Sequence, residues 1–178
     1  MSYFINFLTL SRIFLGAIIF ALLTRPEGYL LAFILFFVAG GTDYFDGYLA
    51  RKYNLTSQIG EILDPIADKI LIVFVLFGLS VNLTSYFIAF MASLIITREI
   101  WVGALRDFNA RQGRSGATKV TFLAKIKTTI QLFTLTIYLL GLILNNMLLI
   151  LFGDMFLFLS LLITIYTGYI YTYNSLKN

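Results

Sequence analysis

Four aspartates, Asp43, Asp46, Asp64 and Asp68, lie close together in a strongly apolar part of the chain. On α-helices the first two would point within about 60° of each other and the last two within about 40°. Each pair would then occupy one face of its own helix. Only a short polar connection separates the two helices, which favours antiparallel neighbours. We therefore expect the four carboxylates to converge.

Convergence of four carboxylates requires a compensating charge. Each charged residue at membrane depth costs at least ~2.5–3.5 kcal/mol, and mutual repulsion adds to that cost. Protonation or metal binding must relieve it, and two divalent cations would balance four negative charges. The chain has no histidine and no cysteine, so a metal site must use oxygen ligands, which suit hard cations such as magnesium, manganese or calcium. Without histidine, a carboxylate is also the natural proton acceptor.

The composition indicates a membrane protein. Of the 178 residues, 60% are hydrophobic and 12% are charged, and the mean hydropathy is +0.89. Soluble domains carry about 25% charged residues. A domain of this size has too much surface to bury so many apolar side chains in its own core. Lipid must therefore cover most of the outside.

Six apolar stretches approach the length that crosses a bilayer core and predict six transmembrane helices. Lysine and arginine concentrate at one set of connections, so the positive-inside rule places both termini in the cytoplasm. No repeat or long linker divides the sequence, and we predict one all-α membrane domain over residues 1–178. The predicted spans are 5–23, 29–50, 60–80, 84–106, 124–144 and 148–172.

The aspartates belong to a longer pattern, Asp-x2-Asp-Gly-x2-Ala-Arg-x8-Gly-x3-Asp-x3-Asp, which is matched at every fixed position. This pattern resembles the signature of the CDP-alcohol phosphotransferases, membrane enzymes of phospholipid synthesis. The resemblance implies a six-helix bundle, usually a homodimer, that uses two divalent ions, Mg²⁺ or Mn²⁺. The matching residues are Asp43, Asp46, Gly47, Ala50, Arg51, Gly60, Asp64 and Asp68.

The resemblance also implies a role for individual residues. Asp43, Asp46 and Asp64 would ligate the metal ions, and Asp68 would be both a ligand and the base that acts on the acceptor hydroxyl. Four further residues would bind the CDP moiety of CDP-diacylglycerol, and an arginine suits this role because its guanidinium holds phosphate oxygens in a fork. These CDP-binding candidates are Thr42, Gly47, Arg51 and Ser57.

The depth of the aspartates agrees with a lipid substrate. Asp43 precedes Arg51 by eight residues, or roughly 12 Å of helix, so the site would lie just under the cytoplasmic surface. There a lipid diphosphate keeps its acyl chains in the bilayer while a soluble alcohol enters from the cytosol. We expect an integral protein of a bacterial inner membrane with its active site facing the cytoplasm.

A second set of basic residues is predicted to select the acceptor alcohol. Arg98 lies inside an apolar span beside Glu99, where a charge is normally functional. Several segments resemble family members that use sn-glycerol 3-phosphate, which implies this acceptor. Lys125 and Lys127 do not share a helix face, and the resemblance favours Lys125 as the inward one. The acceptor-phosphate candidates are Arg98, Arg106, Lys125 and Lys127. The resembling segments also make Asn6, Thr9 and Arg12 site candidates, without a specific role.

Other functions stay open on the sequence alone. Family members that use inositol phosphate, serine or phosphatidylglycerol share the signature. A cation transporter with an acidic intramembrane site is a different class, although transporters commonly show inverted repeats and this sequence shows none. A non-catalytic scaffold has no specific support. We expect membrane lipids as surroundings and no nucleic-acid partner.

Overall fold

The structure, a computed structural model, describes the backbone of residues 2–53, 58–114, 116 and 122–177, and the side chains of residues 7, 9–42, 63, 66–114, 116, 122–123 and 126–177. This described part contains six α-helices, a short 3-10 helix at Pro26–Gly28, and no β-strand. The all-α prediction is therefore confirmed. The helices are α1 (Ser2–Leu23), α2 (Tyr29–Tyr53), α3 (Gln58–Asn82), α4 (Tyr86–Arg111), α5 (Phe122–Ile143) and α6 (Met147–Lys177).

Helix α4 continues five residues past its predicted span and ends at Arg111. Gly113, with a φ of +71°, terminates it. The amide of Arg114 donates to the carbonyl of Asn109 at 2.8 Å, and that of Gly113 to Ala110 at 3.0 Å. This is the Schellman arrangement, in which glycine adopts the left-handed conformation that closes a helix. Residues 107–111, which lie beyond the predicted span of 84–106, are therefore helical.

Two groups of three helices form the molecule. Helix α1 packs along α3 and α2, and α6 packs along α5 and α4. Contacts of α3 with α4 and of α2 with α5 join the two groups. Small residues permit the close approaches, as is usual between membrane helices. At Gly153 of α6, for example, an added Cβ would lie 2.7 Å from the ring of Tyr138 on α5, whose hydroxyl donates to Asp154 at 2.6 Å.

The outer surface of the helices is apolar, which identifies a membrane protein. Within the described residues, three helical stretches are long and apolar enough to cross a bilayer: Tyr86–Arg111, Ile126–Ile143 and Met147–Lys177. Thr9–Leu23 and Pro26–Thr42 are shorter apolar stretches. Large apolar side chains face outwards in numbers that water would not tolerate. They include Phe14, Leu30, Ile100, Leu148, Leu151 and Leu162.

Candidate active site

Helices α1 and α3 together fix the position of Asp68. Arg12 of α1 is fully buried, and its Nη1 donates to Oδ1 of Asp68, whose side chain is about half exposed. A buried guanidinium needs a paired anion, because an uncompensated charge in a low-dielectric interior is costly. The ion pair therefore ties α1 to α3 and leaves part of the Asp68 side chain accessible.

Glu99 of α4 gathers three cations from three helices. Its Oε1 accepts hydrogen bonds from Nη1 of Arg98 at 2.9 Å and from Nζ of Lys127, and its Oε2 lies 3.6 Å from Nζ of Lys69. We call Lys69, Arg98, Glu99 and Lys127 the Glu99 cluster. Its three positive charges and one negative charge leave an excess of two positive charges. Such a cluster has the charge to bind a phosphate dianion.

Helix α6 holds Arg98 in place from the other side. Nη2 of Arg98 donates to Oγ1 of Thr167 at 2.6 Å. The guanidinium also lies 5.9 Å from the ring centroid of Tyr171, within the range of a cation–π contact. Gly168 lies between Thr167 and Tyr171 in the sequence of α6. A Cβ added at Gly168 would lie 3.1 Å from Cγ and Nε of Arg98. The absence of a side chain at Gly168 therefore lets Arg98 lie against the helix backbone.

One cavity of about 900 Å³ connects Asp68 with the Glu99 cluster. This volume is within the range of small-molecule sites. We call it the Asp68 cavity. The apolar part of its wall is mostly isoleucine, leucine and valine from α3 and α4. The polar and charged residues that line it are Asp68 and Lys69 of α3, Arg98, Glu99 and Arg106 of α4, and Lys127, Thr128 and Gln131 of α5.

The structure thus brings several sequence-predicted residues together. Asp68, Arg98, Arg106 and Lys127 line one cavity, and Arg12 contacts Asp68 directly. Arg106 is exposed, and its guanidinium carbon lies 5.8 Å from the ring centroid of Tyr171. A phosphate ester in this cavity could contact both the cations and the Asp68 carboxylate.

Two further candidates lie within the described residues. Thr42 donates its hydroxyl to the carbonyl of Ala39 in its own helix at 2.7 Å. Thr9 is fully buried in α1, one turn before Arg12. The predicted site residues that remain lie outside the described side chains. These are Asn6, Asp43, Asp46, Gly47, Arg51, Ser57, Asp64 and Lys125.

The predicted aspartate quartet is therefore not tested by the described side chains. Asp68 alone among its members has a described side chain. Within the described part of the chain, no three Asp, Glu, His or Cys side chains lie together as a metal site would require. The backbone does place Asp43 and Asp46 on α2 and Asp64 on α3. Convergence of the four carboxylates stays a prediction.

Several residues that line the cavity or hold its cations in place have no role predicted from the sequence. Lys69 and Glu99 carried a usable signal, since each is a charged residue in an apolar helix. Thr167, Gly168 and Tyr171 gave no such signal, because these residue types are ordinary in a membrane helix. Their importance depends on the contact between α4 and α6.

Glu99→Gln is expected to lower the thermal unfolding midpoint. The substitution leaves Lys127, which is 7% exposed, without its carboxylate partner, and breaking a buried pair in this way costs about 3–5 kcal/mol. Inorganic phosphate should raise the midpoint of the variant more than that of the wild type, because the anion replaces the missing negative charge. Thermal unfolding in detergent, with and without phosphate, measures both effects.

Glu27→Gln provides the control for this substitution. Glu27 is exposed in the short helix between α1 and α2, where a charge contributes little to stability. Its replacement should leave the midpoint and the phosphate response unchanged. If Glu99→Gln behaved in the same way, the carboxylate would not organise the cations.

Comparison with known proteins identifies the class of protein that this fold and cavity belong to. The family model for CDP-alcohol phosphatidyltransferase matches residues 4–166, so the chain belongs to that family. The resemblance inferred from the aspartate pattern is therefore confirmed, and membership favours an enzyme over a cation transporter.

Several curated relatives, among them the following three, carry the name CDP-diacylglycerol–glycerol-3-phosphate 3-phosphatidyltransferase. The protein from Rickettsia bellii is 41% identical over 171 residues, which cover 93% of this chain and 91% of the relative. The protein from Blochmanniella floridana is 36% identical over 170 residues, covering 94% and 88%. The protein from Salmonella choleraesuis is 33% identical over 130 residues, covering 72% and 71%.

Proposed function

We propose that this protein transfers the phosphatidyl group of CDP-diacylglycerol to sn-glycerol 3-phosphate and releases CMP. The observation that carries the proposal is the Asp68 cavity, where a carboxylate and a cation cluster line the same space. A phosphate monoester carries about −1.5 to −2 charges at pH 7, which matches the two excess positive charges of the Glu99 cluster. The names of the relatives agree with this donor and acceptor.

The cations of the cavity bind the acceptor phosphate in this proposal. Arg98 offers a guanidinium held from both sides by Glu99 and Thr167. Lys127 is buried and is positioned by Glu99. Arg106, which is exposed, adds a third cation to the cavity wall, and Lys125 remains a proposed fourth. With the phosphate held there, the primary hydroxyl of glycerol 3-phosphate is free to turn towards Asp68.

Asp68 accepts the proton of that hydroxyl. The hydroxyl oxygen then forms a bond to the phosphorus that bears diacylglycerol, while the bond from this phosphorus to the CMP oxygen breaks. No covalent intermediate with the protein is needed. Arg12 contributes by holding Asp68 through their ion pair, so the carboxylate keeps a fixed direction towards the acceptor.

The aspartates are also proposed to hold two divalent ions, Mg²⁺ or Mn²⁺. The donor set fits such ions because it consists of carboxylate oxygens, and the Asp68 side chain is accessible from the cavity. When bound, these ions would neutralise the diphosphate and the charge on departing CMP. Asp43, Asp46 and Asp64 complete the proposed ligand set. Thr42, Gly47, Arg51 and Ser57 are proposed to bind the CDP moiety. Asn6 and Thr9 are site candidates without an assigned role.

The membrane arrangement that suits this reaction has six spans in a single domain, with both termini in the cytoplasm. Support comes from the outward-facing apolar side chains and from the basic residues at the ends of α2 and α4. The protein then lies in a bacterial inner membrane with its active site facing the cytoplasm, and glycerol 3-phosphate enters the site from that side. We further propose a homodimer, as in the family.

Purified protein with CDP-diacylglycerol and a panel of acceptors tests the proposal. Transfer to glycerol 3-phosphate, with release of CMP, is the expected result. Serine has no phosphate for the cations to bind, and phosphatidylglycerol offers a diester with a single charge. Preferential transfer to serine, inositol phosphate or phosphatidylglycerol would refute the assigned acceptor while preserving the family chemistry.

Lys127→Met is expected to raise the KM for glycerol 3-phosphate about 100-fold. Loss of a charge-assisted hydrogen bond costs about 1.5–3 kcal/mol, and methionine retains the length and apolar stem of the lysine. The KM for CDP-diacylglycerol should change little, because only one of the two substrates, the acceptor, contacts this cation in the proposal. Initial rates with each substrate varied in turn give both constants.

Arg111→Met is the matched control, since it removes a cation from the same cytoplasmic side. Arg111 is exposed and pairs with Asp107 at 2.8 Å, one helical turn away. Surface pairs of this kind contribute ~0–1 kcal/mol, so neither KM should change by more than about twofold. Equal changes in both constants for Lys127→Met would place that residue in the fold or the donor site instead.

A further inference from the structure

Gln131 of α5 has a buried side-chain amide that has no role in the proposed reaction. It lines the Asp68 cavity and is 5% exposed. Its Nε2 is completely buried and finds no hydrogen-bond partner among the described residues. Buried polar groups in native proteins are nearly always paired, because an unpaired donor loses its water without replacement. A donor left unpaired at a cavity wall is suited to a ligand.

The position of Gln131 relates it to the acceptor phosphate. It follows Lys127 by four residues, so the two side chains share one face of α5 with about 5–6 Å between their Cβ atoms. Both side chains are buried and both line the same cavity. A molecule whose phosphate contacts Lys127 would thus extend its carbon chain past the amide of Gln131.

The chemistry of the amide narrows the group that it meets. The Nε2 group is a neutral donor, so it suits a neutral oxygen rather than a phosphate that the cations already bind. Glycerol 3-phosphate has two hydroxyls, and in the proposed reaction the primary one reacts near Asp68. The secondary hydroxyl, between the phosphate and the reacting carbon, is the remaining oxygen.

We infer that Nε2 of Gln131 donates a hydrogen bond to the secondary hydroxyl of the acceptor and so selects a polyol phosphate over a simple alcohol phosphate. This inference rests on the proposed function and adds a specificity residue to it. A site that hydrogen-bonds a substrate hydroxyl discriminates against the analogue that lacks it, because the buried donor is then left unpaired.

A comparison of two acceptors with two proteins tests the inference. 3-Hydroxypropyl phosphate retains the phosphate and the reacting primary hydroxyl at the same spacing but lacks the secondary hydroxyl. With CDP-diacylglycerol saturating, the wild type should show a kcat/KM about 10-fold higher for glycerol 3-phosphate than for the analogue. In Gln131→Met, which keeps the side-chain volume, the ratio should approach one because the value for glycerol 3-phosphate alone falls.

Two further variants keep the test decisive. Gln131→Asn withdraws the amide by one methylene and should also reduce the ratio, which serves if the methionine variant does not fold. Thr134→Val is the matched control on α5. Thr134 is buried, and its hydroxyl already donates to the carbonyl of Ile130 at 2.7 Å. This control should preserve the wild-type ratio.

The outcomes separate the inference from the proposed function. A ratio in Gln131→Met equal to that of the wild type overturns the inference, and so do equal losses for both acceptors, which would indicate a packing role. Either result leaves transfer to glycerol 3-phosphate by the wild type intact. Failure of the wild type to use glycerol 3-phosphate at all would overturn the proposed function and this inference with it.

Discussion

Asp68→Asn is expected to lower the rate of CMP release about 10³-fold while CDP-diacylglycerol still binds. Removal of a general base typically costs 10²–10⁴-fold. Asparagine keeps the size of the side chain and an oxygen that can accept from Arg12, but it does not take up the proton of the acceptor. Initial rates at saturating glycerol 3-phosphate measure turnover, and equilibrium binding of CDP-diacylglycerol measures donor affinity.

Asp107→Asn is the control for this substitution. Asp107 lies near the end of α4, where it is exposed and pairs with Arg111. Its removal from a surface pair should leave turnover within about twofold of the wild type. Turnover of Asp68→Asn within a few-fold of the wild type would exclude Asp68 as the base. A parallel loss of donor binding would assign it to the donor site instead.

The helices were predictable because long apolar stretches in a membrane protein favour helices. Each of the six predicted stretches overlaps one observed helix. Helix ends follow a different rule. α4 ends at Arg111 because Gly113 closes it, and hydrogen bonding of the last carbonyls sets that position rather than the edge of the apolar stretch.

The candidacy of Arg98 for the site was predictable, but its ion-pair partner was not. A charge inside an apolar helix indicated a functional position. Adjacent residues on a helix do not face each other, so helix geometry does not predict that Arg98 pairs with Glu99. The long side chains nevertheless meet, at 2.9 Å. Lys127 also donates a hydrogen bond to Glu99. The resemblance favours Lys125 over Lys127 as the inward-facing lysine, and the side chain of Lys125 lies outside the described residues.

The contribution of α6 was not predictable from the sequence. Thr167, Gly168 and Tyr171 surround Arg98, yet each is unremarkable within an apolar helix. Their role arises from the contact of two helices that are separated in the chain by the whole of α5. Motifs report residues that bind substrates or metals directly. Residues that hold those side chains in place act through tertiary packing, which has no comparable local signal.

Removal of divalent metal is expected to abolish transfer completely, and addition of Mg²⁺ or Mn²⁺ should restore it. The reason is the donor set: the chain has no histidine and no cysteine, and the four aspartates are proposed to supply carboxylate oxygens, which hard cations prefer. Four such carboxylates without counter-ions would repel one another at membrane depth. Treatment with EDTA, followed by metal addition and measurement of CMP release, tests this expectation.

Two aspartate variants make this experiment specific. Asp64→Asn removes one proposed ligand and should raise the Mg²⁺ concentration needed for half-maximal activity. Asp154→Asn changes a carboxylate on α6 that accepts a hydrogen bond from Tyr138 and lies outside the Asp68 cavity, so its metal requirement should equal that of the wild type. EDTA saturated with Mg²⁺ should leave activity unchanged. Full turnover in metal-free buffer would contradict the proposed metal site. Protonation would then have to relieve the repulsion among the four carboxylates.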